Sequence, residues 1–283
     1  MKDVIIIGKG PAGISAALYA VRGGASVSVI AKDGGALTKA DLIQNYYGFE
    51  NGINAKQLIQ NGISQAENLG VKFFEDEVVG IEFAQHGYLV KTLTDTKQAD
   101  VVIIACGTSR NIPPIENIDR FEGKGVSYCA ICDGFFYRGK RVAVIGNGGY
   151  ALSEYHVLKN IIQDVTIYTN GLKAEFDEIK ADERKIKAFE GEDIIKNIVF
   201  EDGSSIPVDG VFIACGSAGA FELSKKVGLA ISQNKIVTDE KRATNIPGIF
   251  AAGDCVSGLQ QIAKAVCDGM IAGTEALKYL KNR

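Results

Sequence analysis

The sequence predicts an α/β fold made of two copies of one nucleotide-binding unit, and three observations carry the prediction. Residues 3–31 (DVIIIGKGPAGISAALYAVRGGASVSVIA) and 141–169 (RVAVIGNGGYALSEYHVLKNIIQDVTIYT) follow one plan. In each, a β-branched run enters a Gly-rich turn, an apolar helix follows and a second short strand closes a βαβ unit. The segment ADVVIIACG, ending at Gly107, has a counterpart in VDGVFIACG, ending at Gly216. Finally, 283 residues that are 46% hydrophobic and 23% charged supply enough apolar material for two cores.

The remaining elements fit between these landmarks. In the first copy a helix is expected near Ala55 to Leu69, followed by alternating runs at Lys72 to Phe74, Val78 to Phe83 and Tyr88 to Leu93, read together as a β-meander. The second copy keeps a meander (Lys185 to Phe189, Ile195 to Phe200) but has only a short segment, Gly171 to Lys180, in place of the first copy's helical stretch. After the second IACG, TNIPGIFAAGD gives a Pro-Gly turn and a strand ending at Gly253 and Asp254. A long helix from about Leu259 to Tyr279 follows. Its apolar residues Ile262, Val266, Met270, Ala276, Leu277 and Leu280 mark a face expected to pack on a sheet. Returning this helix to the first copy gives two Rossmann-like domains, the first discontinuous: 1–112 with 245–283, and 113–244. The crossings are expected near Asn111 to Ile118 and Asp239 to Asn245.

Charge and composition exclude several classes of function. Thirty-one Lys and Arg against 34 Asp and Glu leave a net charge of −3, which gives no basic surplus for nucleic acid or an anionic membrane. No apolar run approaches a membrane span, and Val4 to Ile7 is too short for a signal-peptide core, so a cytoplasmic protein is expected. Six cysteines in this length do not make a disulfide scaffold.

Two motifs carry chemistry. Gly8-Lys9-Gly10-Pro11-Ala12-Gly13 is GxGxxG between a strand and a helix. Its glycines allow a tight turn and close backbone approach, and the helix N-terminus offers free N–H groups to a pyrophosphate. The usual acidic residue for an adenosine ribose is missing at Ala31-Lys32-Asp33. Cys129-Ala130-Ile131-Cys132-Asp133 pairs two thiols at a spacing that closes a disulfide and favours a thiolate near neutral pH. Half of a zinc site is the competing reading, but Cys106, Cys215, Cys255 and Cys267 form no second close pair, and His86 and His156 lack finger spacing. Asp133 is either a proton donor or a helix cap.

These motifs, with GGALT at 34–38, QNYYGF near Asn45, ACGT at 105–108, CAICDG at 129–134 and TNIPGIFAAGD followed by QQIA at 260–263, resemble the low-molecular-weight thioredoxin reductases over nearly the whole chain. The resemblance implies a thioredoxin-reductase-like FAD/NAD(P)-binding fold, and thioredoxin as partner. It implies FAD in the first domain, held around Gly8, Gly10, Pro11, Ala12, Gly13, Gly35, Ala36, Leu37, Asn45, Val78, Ala105, Gly107, Gly253, Asp254, Gln261 and Ile262. In this reading Cys132 exchanges electrons with the flavin, Cys129 attacks the thioredoxin disulfide and Asp133 is the acid-base group. The final helix points its N-terminus at the flavin pyrimidine edge. A homodimer is implied by the family alone.

The chain departs from the NADPH-dependent members at the second turn, where they read close to GGGNSAxE with a basic HRR segment at the next strand end. Here Tyr150 stands where a small hydroxyl is expected, crowding the turn, and Ser153 replaces the carboxylate. Tyr168 to Gly171 offer neither an Arg pair for a 2′-phosphate nor an acid for a ribose diol, and Lys173 is the one nearby cation. This pattern resembles the ferredoxin-dependent flavin thioredoxin reductases, with ferredoxin as electron donor. The alternative is an unusual binding mode that still accepts NADPH or NADH. Further rivals are a ferredoxin:NADP reductase of the same fold, which has no need of CxxCD, and a non-catalytic FAD-binding redox sensor. Cys106, Cys215, Cys255 and Cys267 read as structural, His156 as a packed or surface residue, and the lysines over 173–187 as a solvated face.

Overall fold

The computed structural model describes residues 2–107, 112–216 and 219–283. Thr108 of the ACGT motif and Asn111 at the start of the first expected crossing lie outside the described residues. The described α-helices are α1 (Pro11–Arg22), α2 (Ala55–Glu67), α3 (Ala130–Asp133), α4 (Gly149–Lys159), α5 (Ala220–Val227) and α6 (Ile262–Lys281). The chain divides into one unit formed by Met1–Arg110 with Gly219–Arg283 and another formed by Asn111–Ala218.

The first unit is built on a five-stranded parallel sheet in the order Ile249–Ala251, Val101–Ile104, Asp3–Ile7, Ser26–Ile30, Lys72–Phe74. Its central strands read as unbroken β-branched runs because both faces are covered; Ile6, Val29 and Ile103 are fully buried. Lys72–Phe74, expected in the meander, is instead the parallel edge strand, with Val29 opposite Phe73. It is the return strand of the α2 crossover, and three alternating residues are too few to reveal that. The meander consists of Val78–Phe83, Tyr88–Thr92 and Thr96–Ala99.

The α6 helix starts at Ile262 rather than Leu259, because Gln261 is extended at the N-cap (φ −137°, ψ 146°). Its buried face is Ala265, Asp268, Gly269, Ala272, Gly273, Ala276 and Leu280, and that face lies on α1 rather than on a sheet alone. A β-carbon at Gly269 would fall 2.1 Å from the Ala12 carbonyl oxygen, and one at Gly273 would fall 2.5 Å from that of Ala16. Small residues thus set the helix spacing. Of the apolar residues expected on that face, Ala276 and Leu280 are buried and Leu277 packs against the same cluster, while Gly269 and Gly273, which set the spacing, carry no hydropathy signal.

The second unit carries a four-stranded parallel sheet in the order Val126–Ser127, Gly210–Ile213, Arg141–Ile145, Asp164–Tyr168. An antiparallel meander of Ile186–Glu190, Asn197–Phe200 and Ser205–Pro207 accompanies it. Its far boundary, at Ala218/Gly219, comes earlier than the expected 244/245. The reason is α5, whose Leu223 and Val227 are buried and whose Lys226 Nζ donates to the Val79 carbonyl at 2.7 Å, tying the helix to the first unit.

Candidate active site

In the first unit the Gly-rich turn forms at the carboxyl end of the parallel sheet, beside the point where the strand order reverses. Gly8 has φ 109°, and a β-carbon there would meet the Ala105 carbonyl oxygen at 2.4 Å, so only glycine closes the turn against the neighbouring strand end. Pro11 opens α1, and Gly10 precedes it as an N-cap without a side-chain hydrogen bond. A β-carbon at Gly10 would have nothing within 4 Å, so the space in front of the helix is open. Gly253 packs on the same turn, since its β-carbon would sit 2.8 Å from the Ala12 methyl.

Beside Gly253, Asp254 keeps its Oδ1 buried without a hydrogen-bond partner. An orphaned buried acceptor of this kind needs a donor such as a sugar-chain hydroxyl. Together with the open helix N-terminus it fits a dinucleotide with a hydroxylated chain next to its pyrophosphate. Leu37 and Ile262 pack in one cluster with Ile43, Ile53, Tyr46 and Phe49, and Asn45 Nδ2 donates to Gln261 Oε1 at 3.0 Å, so both elements gather at the start of α6. Gly35 and Ala36, exposed, open the short 3-10 turn that carries Leu37, with the Gly35 amide donating to Asp33 Oδ1 at 2.7 Å. Val78 is buried next to Glu77, which pairs with Lys32 at 3.2 Å at the end of the second strand. Gly107 follows the Val101–Ile104 strand with φ 71°.

The sequence reading missed what holds the Gly253–Asp254 turn. Asp268 is 1% exposed, and Arg242 and Lys264 approach it at 2.8 and 2.7 Å. Its Oδ2 also accepts from the Gly253 amide at 3.1 Å, while Lys264 Nζ donates to the Gly253 carbonyl at 2.9 Å and Lys235 Nζ to that of Asp254 at 2.5 Å. Only the fold brings Arg242, Lys235 and α6 together. Cys255 is buried and bonded to the carbonyls of Ile104 and Ala252, and burial pushes its thiol up to about 12. Burial likewise pushes Cys215 up to about 11 and Cys106 above the ordinary thiol range, so none of the three is a thiolate near neutral pH.

In the second unit Cys129 and Cys132 form a disulfide with Cα atoms 5.3 Å apart. Cys129 is fully buried as the N-cap of α3, whereas Cys132 is exposed. The Cys132 amide donates to Cys129 Sγ at 3.2 Å, a bond that strengthens when that sulfur carries negative charge. Asp133 does not cap the following 3-10 turn. Its Oδ2 accepts instead from the Ser127 hydroxyl at 2.6 Å, and that hydroxyl accepts from the Cys129 amide at 3.1 Å. The carboxylate is therefore linked to the dithiol backbone through one serine. A second anchor is Glu154 on α4, 1% exposed, whose Oε2 accepts from the Ala130 amide at 2.9 Å. Glu154 was legible only as the residue after Ser153, and nothing in the sequence connects it to α3.

At the second Gly-rich turn Tyr150 is buried, 1% exposed. The strand end at Tyr168 to Gly171 is folded on itself. Thr169 Oγ1 donates to the Leu172 carbonyl and Asn170 Oδ1 accepts from the Ile186 amide at 2.8 Å, so neither faces outward as a ribose partner. His156 is exposed, 3.7 Å from Glu178.

The pyridine nucleotide-disulphide oxidoreductase family pattern matches residues 2–269. The chain is 34% identical to a thioredoxin reductase from Listeria monocytogenes, with 99% of this chain and 94% of that protein covered. Among solved structures it is similar to the atypical thioredoxin reductase of Desulfovibrio vulgaris Hildenborough (37% identity, TM-score 0.95, 100% and 99% covered). It is also similar to a ferredoxin-flavin thioredoxin reductase from Clostridium acetobutylicum (31% identity, TM-score 0.76, 99% and 98% covered).

Proposed function

The chain belongs to the low-molecular-weight thioredoxin reductases of the pyridine nucleotide-disulphide oxidoreductase family, and from that premise we propose that it reduces thioredoxin with electrons taken from reduced ferredoxin. The family binds FAD, which supplies two-electron reduction of a disulfide. The observation that supports the donor assignment is the second unit's strand end, 168–171, where the side chains of Thr169 and Asn170 bond to the chain's own backbone instead of facing outward.

In this reading the open N-terminus of α1 would hold the pyrophosphate and Asp254 Oδ1 would accept from a hydroxyl of the sugar chain. Two electrons cleave the Cys129–Cys132 bond, leaving a thiolate and, after protonation, a thiol. The Cys129 thiolate attacks one sulfur of the thioredoxin disulfide and the other leaves as a thiolate. The Cys132 thiol, on losing its proton, attacks Cys129 Sγ and expels the thioredoxin sulfur as a thiolate, re-forming the internal bond and releasing thioredoxin as the dithiol once its thiolates are protonated. Asp133 holds or delivers the proton these departures need, aligned by Ser127. Homodimer formation and a cytoplasmic location belong to the same proposal. Among the described residues no helix is long and apolar enough to cross a membrane.

Two outcomes follow here. The purified protein carries one FAD per chain, and FMN substitutes poorly because it lacks the half that the first βαβ unit holds; absorbance and cofactor release measure both. Asp133→Asn keeps FAD and the disulfide but slows thioredoxin turnover about a hundredfold. Turnover unchanged across the pH range would leave Asp133 a structural partner of Ser127.

A further inference from the structure

We propose that Glu175 closes the second Gly-rich turn to dinucleotides by placing its own carboxylate where a pyrophosphate would lie. This rests on the donor reading above and names the residue that enforces it.

The two copies of the turn provide an internal comparison. Gly10 and Gly148 are equivalent N-cap glycines; both are extended, and neither has a side-chain cap. In front of Gly10 a β-carbon would meet nothing within 4 Å. In front of Gly148 it would meet Glu175 Oε2 at 3.0 Å and Cδ at 3.8 Å. The bare glycine at this position normally lets a pyrophosphate approach the backbone, and the helix N-terminus behind it favours negative charge. At α4 both features face a carboxylate of the same chain.

The backbone beneath that carboxylate is fixed by the turn itself. The Glu175 amide donates to the Asn147 carbonyl at 2.8 Å, and Asn147 Nδ2 reaches the Lys173 carbonyl at 3.3 Å and Glu175 Oε1 at 3.4 Å. Asn147 stands between the two glycines, and its side chain supplies two of these three contacts. The segment mixes Asp177, Glu178, Asp182 and Glu183 with Lys173, Lys180, Arg184 and Lys185, Arg184 pairing with Asp182 at 2.6 Å and Glu183 accepting from the Ala174 amide at 3.3 Å, so the negative charge at the turn is that of Glu175 itself. A dinucleotide docking here would have to displace Glu175 and place its phosphates against like charge within a few ångströms.

The test uses the FAD-loaded protein and ADP as probe, because ADP carries the adenosine pyrophosphate without redox chemistry. Isothermal titration is run on the wild type, Glu175→Gln and Glu175→Ala, with melting temperature and flavin content as folding controls. The expected result is no saturable ADP binding by the wild type and binding by Glu175→Ala at least about tenfold tighter than the wild-type limit, with Glu175→Gln between them. If both variants keep their flavin and melting temperature yet bind ADP no better than the wild type, Glu175 is not the barrier. In that case NADPH is still refused and the donor reading stands. If the wild type already binds ADP tightly and its flavin is bleached by NADPH, both proposals fall together.

Discussion

Cys132→Ser protein mixed with oxidised thioredoxin accumulates a one-to-one covalent adduct that dithiothreitol dissolves, while Cys129→Ser protein does not. Thiol-disulfide exchange needs one thiol to attack and a second to resolve. Removing the resolving thiol stops the sequence at the mixed disulfide. Turnover in both variants falls by on the order of a thousandfold or more, since the two sulfurs act as one unit. The surroundings of the pair make the outcome informative. Cys132 is the exposed sulfur, and Cys129 is the buried one with an amide donor 3.2 Å away. Attack by Cys129 therefore requires its burial to be relieved, whereas attack by Cys132 does not. An adduct formed by Cys129→Ser alone, read by non-reducing gel and mass spectrometry, would reverse the assignment.

The second large effect concerns the electron source. Under anaerobic conditions chemically reduced ferredoxin supports catalytic reduction of thioredoxin, and NADPH or NADH bleaches the flavin slowly or not at all. Each charged hydrogen bond missing at 168–171 removes about 1.5–3 kcal/mol of nucleotide affinity, or about tenfold or more. Two or three such losses move binding out of the physiological range. Stopped-flow bleaching by micromolar NADPH at the rate of thioredoxin turnover would falsify the assignment.

The legible parts of the molecule were those written in local pattern. The two Gly-rich turns were readable because a strand, a φ-positive glycine such as Gly8 and a helix lie next to one another in the sequence. The dithiol was readable for the same reason, since Cys129 and Cys132 share one turn of chain. Contacts between distant segments were hidden. Asp268 looks like an ordinary polar residue of α6 until Arg242 and the Gly253 amide converge on it. Glu154 supports α3 from a separate helix, and Glu175 meets Gly148 through a loop with no regular structure. The α6 face was legible in Ala276, Leu277 and Leu280, but hydropathy weights large side chains and so hid Gly269 and Gly273, where the helices approach most closely. Lys72–Phe74 was misplaced because three residues record neither the partner nor the direction of a strand.

The seam between α1 and α6 fixes an order of assembly during synthesis. Ser15 donates to the Val266 carbonyl across a sequence separation of 251 residues, and the Ile249–Ala251 strand that completes the first sheet also comes late in the chain. The ribosome delivers all of Asn111–Ala218 before either element, so the uninterrupted unit can finish folding while the first still lacks an edge strand and a helix. Until α6 arrives, the backbone of Ala12 and Ala16 lacks its covering surface. A folded insert with a fixed shape replaces a long flexible loop and lowers the entropy of closing that gap. Released chains truncated between residues 220 and 248 should therefore have a protease-resistant second unit and an open first unit unable to retain a dinucleotide.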